Sequence, residues 1–242
     1  KLNKINLKDI FVQSLKISQN KILILEDFIE GDQISTESLI YNNKIYTFGL
    51  ALRNYIDTKV FLPQFLENGG IQPYPKYLSR LDEINKLLLK IVNANNIKNG
   101  VIKADLVIQK KTKKIYVIEY ALRLSGGDFS SFIIPKSTGF NFNKNCINIF
   151  INKEIKINKN IKNYKFLFAN RYLFLKDQKI KKIKYNNKVK KYIIKFEQLI
   201  PNGTYIGNIT SHAERSAVFI VKSINLKNLQ NKIKKVYDNL IL

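Results

Sequence analysis

Apolar residues recur along this chain in two periods, and the changes of period mark its elements. Leu7, Ile10, Phe11 and Leu15 fall at helical spacing behind Asn6 as a cap, and predict a helix over 6–18. Residues 22–29 form a dense run of β-branched and bulky side chains, which predicts a strand ending at the turn Glu30-Gly31-Asp32. Two more strands are expected at 34–39 and 45–50, turned by Asn42-Asn43, so this part reads as an antiparallel meander. Along the second of them Gln33, Ser35 and Glu37 share a face, because strand side chains alternate. An irregular excursion over 58–77 follows, with three of the five prolines and the pair Gly69-Gly70. Ser79-Arg80-Leu81-Asp82 reads as a capping box, and Leu81, Ile84, Leu88 and Ile91 predict a helix that Asn95-Asn96 and Gly100 end. Further on, 125–138 reads as a loop, Gly139-Phe140-Asn141 introduces a short helix carrying Cys146, and lysines alternate with aromatics over 153–195 as in a half-buried sheet. A strand at 217–221 and a helix through Leu226, Leu229, Ile233, Val236 and Leu240 close the chain. Strands follow strands and helices are interspersed without βαβ alternation, so the expected fold class is α+β, an antiparallel sheet with packed helices.

The stretch 101–127, VIKADLVIQKKTKKIYVIEYALRLSGG, carries the densest chemistry. Two β-type runs, 105–109 and 115–120, flank a polar connection and predict a hairpin. With the loop centred on Thr112, Asp105 and Glu119 stand opposite each other and share a face with Val107 and Val117. Cross-strand neighbours lie about 5 Å apart at Cβ, where like charges repel. Either a lysine ammonium or magnesium carrying substrate phosphates offsets that repulsion; an edge hairpin with two solvated acids needs neither. Arg123 comes four residues after Glu119, and Ser125-Gly126-Gly127 supplies a turn whose backbone can approach a ligand closely.

Composition narrows the classes. With 242 residues, 45% of them hydrophobic, the chain is long enough for one large or two small domains with a packed core. No apolar run approaches the roughly 18 residues of a membrane span, and KLNKINLKDIF lacks the apolar centre of a signal peptide, so no membrane partner and a cytoplasmic location are expected. The start at Lys1 and the absence of methionine read as a fragment or a trimmed product. A net charge of +24 points to anionic partners, yet only five of the 42 basic residues are arginines: Arg53, Arg80, Arg123, Arg171 and Arg215. Readers of bases and phosphates favour the bidentate arginine fork, so no specific nucleic-acid partner is expected, and a noncatalytic basic module stands as the alternative class. A single cysteine excludes an internal disulfide and a single histidine, His212, excludes a histidine-rich metal site.

Taken in order, LEDFIEGDQISTES at 25–38, G-x-x-x-A-D-L-V-I, Y-V-I-E-Y-A-L-R-L-S-G-G and P-K-S-T-G-F-N resemble the C-terminal half of an ATP-grasp ligase. The resemblance implies ATP and magnesium as cofactors. It implies that Asp105 and Glu119 hold the magnesium, that Arg123 is catalytic, and that Glu26, Asp27 and Ile29 line the adenine, with Gln33 at the ribose position where the family often has an acid. The implied reaction phosphorylates a small-molecule carboxylate to an acyl phosphate, which an amine or thiol then captures. Arg53 and Glu67 become candidates for acceptor contact, and Arg215 takes the place of a basic residue before the family's closing strand. In this frame 1–152 is the nucleotide- and magnesium-binding region and 153–242 a C-terminal β region with a closing helix. Two departures stand out. Ala121 replaces an asparagine that many ATP-grasp enzymes carry two residues after the second acid, and the first twenty residues have no room for the family's glycine-rich lid, so turnover is expected to need an upstream half.

Overall fold

The period-two stretches assemble into one antiparallel sheet of eight strands. In chain order these are β1 (Gly31–Tyr41), β2 (Lys44–Arg53), β3 (Gly70–Gln72), β4 (Gly100–Gln109), β5 (Ile115–Ala121), β6 (Leu167–Phe174), β7 (Ile193–Gln198) and β8 (Arg215–Ser223); in space they run β5-β4-β1-β2-β3-β6-β8-β7. The helices are α1 (Leu7–Ile17), α2 (Leu81–Ala94), α3 (Ile134–Thr138), α4 (Phe142–Phe150) and α5 (Leu226–Tyr237). The structure, a computed structural model, describes residues 7–62, 64–158 and 160–242. The fold class is the expected one, and the regions 1–152 and 153–242 share the sheet, since Ile71 of β3 lies opposite Ala169 of β6. Among the described residues no helix is long and apolar enough to cross a membrane.

Strand alternation divides the sheet into two faces. On one, Ile34, Leu50, Leu106 and Ile108 meet Leu81, Ile84 and Leu88 of α2, while Leu167, Ala169, Phe219 and Val221 meet Leu229, Ile233 and Val236 of α5. Both helices turn a stripe with spacings of three and four onto the sheet, and each fully buried side chain of this kind contributes roughly 1.5–3 kcal/mol. The other face is divided. At one end Leu39, Phe48 and Val101 pack on Phe140 and α4, with the Phe48 and Phe140 rings stacked 3.9 Å apart. At the other end the inward positions are Lys103, Asp105, Ser35, Glu37, Arg53, Asn170 and Tyr172, and this is where the site forms.

Several local expectations hold. Asn42 and Asn43 turn β1 into β2 at φ 51° and 61°, a left-handed pair that asparagine tolerates. Asn141 caps α4 by accepting from the Lys144 N–H at 3.1 Å. Others fail for stated reasons. Residues 22–29 form no strand: Ile24 and Leu25 are 85% and 88% exposed, and both edges of β1 are already taken by β2 and β4, so the run has no ladder to join. The capping box at Ser79 does not form, because Pro75–Arg80 is a 3₁₀ turn and α2 starts at Leu81 with Arg80 spent on Glu83 and the Lys113 carbonyl. The loop expected at 125–138 contains a wide helical turn, Phe129–Ile133, running into α3. Leu240 lies beyond α5, in a two-residue ladder with Tyr185. Asn6, the expected cap of α1, falls outside the described residues.

Candidate functional site

The hairpin of β4 and β5 sets Asp105 opposite Glu119, as the spacing predicts. A bulge just past Asp105 shifts the register, so Val117 pairs with Leu106 and turns into the core under α2; only Val107 keeps the face of Asp105. The cation between the acids is Lys103. Its Nζ lies 2.5 Å from Asp105 Oδ2 and 3.3 Å from Glu119 Oε1. Lys103 stands two residues before Asp105 and therefore on the same face, a signal that the alternation already contained. The two acids differ in setting. Asp105 is buried and also accepts from Ser35 Oγ, which itself accepts from Arg53 Nε at 2.6 Å, whereas the Glu119 side chain is 64% exposed. Burial works to raise the Asp105 carboxyl, but hydrogen bonds from Lys103 and Ser35 and the nearby Lys103 and Arg53 charges outweigh it and hold it below the usual carboxylate range.

A second ionic group crosses from the other half of the sheet. Glu67, on the excursion before β3, pairs with Arg53 at 3.2 Å and with Arg215 at 3.4 Å, while Arg215 also donates to the Glu67 carbonyl at 2.8 Å and lies 3.8 Å over the Tyr172 ring. Between these groups is a cavity of about 180 Å³ lined by Arg53, Glu67, Lys103, Arg123, Asn170 and Arg215, with the Ser125-Gly126-Gly127 backbone as one wall. Four cations face one carboxylate there, so the cavity favours an anion. Arg123 lies on that wall with its side chain exposed and, among the described residues, donates only to the Leu124 carbonyl, at 3.1 Å. Gly127 has φ +66° and a Cβ there would collide with the Tyr172 hydroxyl, so glycine lets the loop lie this close.

Glu37 anchors that loop. It is fully buried, accepts from the Ser125 N–H at 2.7 Å, and leaves its other oxygen without a partner among the described residues. Burial pushes its carboxyl up to about 7. Its position on the face of Gln33 and Ser35 was legible; its burial was not.

The adenine-side candidates lie elsewhere. Glu26 and Asp27 are exposed and Ile29 is half-buried, on the irregular segment before β1, where the Phe28 and Phe65 rings stack 6.4 Å apart. Gln33 is on β1, near Tyr55, whose hydroxyl burial raises to about 12. His212 accepts the Glu67 N–H on Nε2 at 2.9 Å, and burial, then the Arg215 charge, lower its pKa; it holds the excursion in place as a neutral ring. Cys146 is a buried core residue. The sequence reading missed Asn170 and Tyr172, which reach the cavity from β6 and had no motif around them.

Among the described residues no three His, Cys, Asp or Glu side chains cluster as a metal cage. Asp105 and Glu119 nevertheless share one cation already, the Lys103 ammonium. Two carboxylates in such reach fit a magnesium ion that arrives with phosphate oxygens and waters of its own.

No family model and no curated protein matches this chain by sequence. Solved structures match by fold. An L-amino acid ligase from Bacillus licheniformis is similar at TM-score 0.71 and 19% identity, over 88% of this chain and 54% of that one. A phosphoribosylglycinamide synthetase from Anaerococcus prevotii gives 0.73 and 16%, over 98% and 60%. The biotin carboxylase domain of a 2-oxoglutarate carboxylase from Hydrogenobacter thermophilus, solved with MgADP and bicarbonate, gives 0.70 and 13%, over 98% and 51%. This chain therefore spans between half and three fifths of the length of these three, and across that span it has the fold of the ATP-grasp ligases.

Proposed function

We propose that this chain is the C-terminal half of an ATP-grasp carboxylate ligase and that the cavity beside Asp105 and Glu119 is its reaction site. The observation that carries this reading is the opposed acid pair sharing one cation at the lip of a cavity lined by Arg53, Arg123 and Arg215. In the reaction a substrate carboxylate oxygen attacks the γ-phosphorus of ATP and ADP leaves; an amine or thiol then attacks the acyl carbon, loses its proton and expels phosphate. Asp105 and Glu119 would hold magnesium, which neutralises charge on the phosphate oxygens during transfer. Arg123, exposed and barely committed within the chain, is free to turn its fork onto the transferred phosphoryl group or the substrate carboxylate. Arg53 and Arg215 fix Glu67 at the acceptor side, where its carboxylate suits an amine. Glu26, Asp27 and Ile29, on a segment that exposes its apolar side chains, would line the adenine, and Gln33 of β1 would meet the ribose.

A second reading rests on Lys103. An ammonium already seated between the acids suits a nucleotide-binding relative without turnover, in which no metal displaces it.

The test is the melting-temperature shift with magnesium-ATP, with polyphosphate as a charge control, for the parent chain, Asp105→Asn and Glu119→Gln, each against its own baseline. A magnesium-dependent shift that exceeds the polyphosphate effect and is lost in both variants supports the site, because a ligand of the native state raises stability. Equal shifts with polyphosphate in all three chains overturn it. A shift that needs no magnesium and survives in Glu119→Gln favours the second reading.

A further inference from the structure

On the sheet face opposite the cationic cavity, a cleft of about 770 Å³ lies between residues 54–61, the end of β6 and α5. A space of that order takes a small organic ligand. Its walls are apolar, with Phe61 and Phe174 5.5 Å apart and Ile233 beside them, and its rim exposes Ile56 and Val60 to solvent by 74% and 81%. At its floor sits Arg171, 6% exposed. One guanidinium amino nitrogen donates to the carbonyls of Gly70 and Asn170 at 3.0 and 2.8 Å. The Nε is 4.0 Å from Asp57 Oδ2, too far for a hydrogen bond, and neither it nor the second amino nitrogen has an acceptor among the described residues. Asp57 accepts from Asn54 at 2.6 Å and Asn68 at 3.3 Å through Oδ2, which leaves Oδ1 open among the described residues.

A buried guanidinium with open donors calls for an anionic acceptor. A bare carboxylate would be repelled by Asp57, and a bare amine by Arg171. A ligand carrying both charges on neighbouring atoms satisfies both groups at once, and the apolar walls suit a hydrocarbon tail beyond it. We propose that this cleft binds a free α-amino acid with an apolar side chain, its carboxylate on Arg171 and its ammonium on Asp57. The site is separate from the cavity of Asp105 and Arg123 and does not rest on the ligase reading.

Calorimetric titration of the whole chain with L-phenylalanine, 3-phenylpropanoate and 2-phenylethylamine tests it. The amino acid binds saturably, and each analogue is weaker by about tenfold or more, because each leaves one charge of the pair unanswered. Asp57→Asn, at a half-exposed position, abolishes the preference for phenylalanine over 3-phenylpropanoate. Val60→Asp, on the exposed rim where folding does not depend on the side chain, weakens phenylalanine, whereas Arg123→Ala on the opposite face leaves its affinity within about twofold. The proposal is overturned if either analogue binds as tightly as the amino acid, if phenylalanine gives no saturable heat, or if Arg123→Ala abolishes binding while Asp57→Asn does not.

Discussion

Turned towards α2 and α5, β1 and β6 present Ile34, Leu167 and Ala169; turned the other way, the same two strands present Ser35, Glu37, Asn170 and Tyr172. The first face stabilises the chain by burying hydrocarbon, each side chain contributing on its own account. The second is held by mutual dependence: Lys103 needs Asp105, Asp105 needs Ser35, and Glu67 needs Arg53 and Arg215. A buried pair of this kind adds little net stability, since desolvation offsets attraction, but removing one partner strands the other. The polar face therefore keeps its side chains in fixed places at a cost in stability, as a preorganised site requires.

The largest expected loss comes from Phe219→Ala, which opens a hole under α5 and costs roughly 3–5 kcal/mol in denaturant unfolding. Asp105→Ala approaches it, at about 3 kcal/mol or more, by leaving buried Lys103 with only the exposed Glu119 as a partner; adding Lys103→Met to an Asp105→Leu chain recovers most of that loss, which no second change does for Phe219→Ala. If Asp105→Ala is as mild as a surface change, the mutual dependence of the polar face is refuted.

A pH series sharpens the contrast. The folded Glu37 carboxyl titrates at about 7 against an ordinary value of 4.5, so between those values the folded chain keeps a proton that the unfolded chain has released. Stability from this group is complete below pH 4.5 and falls as pH rises through 7, by roughly 3 kcal/mol in all. Glu37→Gln keeps the acceptor for the Ser125 N–H, flattens that slope, and gains most over the parent chain near pH 8. A slope unchanged in Glu37→Gln would remove Glu37 as its source. The smallest effect belongs to Glu119→Gln, which at an exposed position changes stability by less than about 1 kcal/mol while removing the magnesium-dependent response to ATP.

Much of this was written locally. The opposition of Asp105 and Glu119 follows from two β-type runs around a short polar loop, and the stripe of α2 from Leu81, Ile84, Leu88 and Ile91. Residues 22–29 misled because side-chain type reports a preference for extended backbone, whereas a strand exists only where a neighbour offers its N–H and C=O groups. The bulge after Asp105 was equally invisible, since one inserted residue leaves the apolar alternation of each run intact until the register is seen.

What the sequence determined by itself was most of the periodic elements, the paired acids, and the loop of glycines behind Arg123, because each depends on neighbours within a few residues. What only the tertiary structure decided was which charge answers which: that Lys103 sits between the acids, that Arg215 crosses some 150 positions of chain to reach Glu67, and that Glu37 is buried without a full set of partners. Burial and distance are properties of the packed sheet, and electrostatics follow from both.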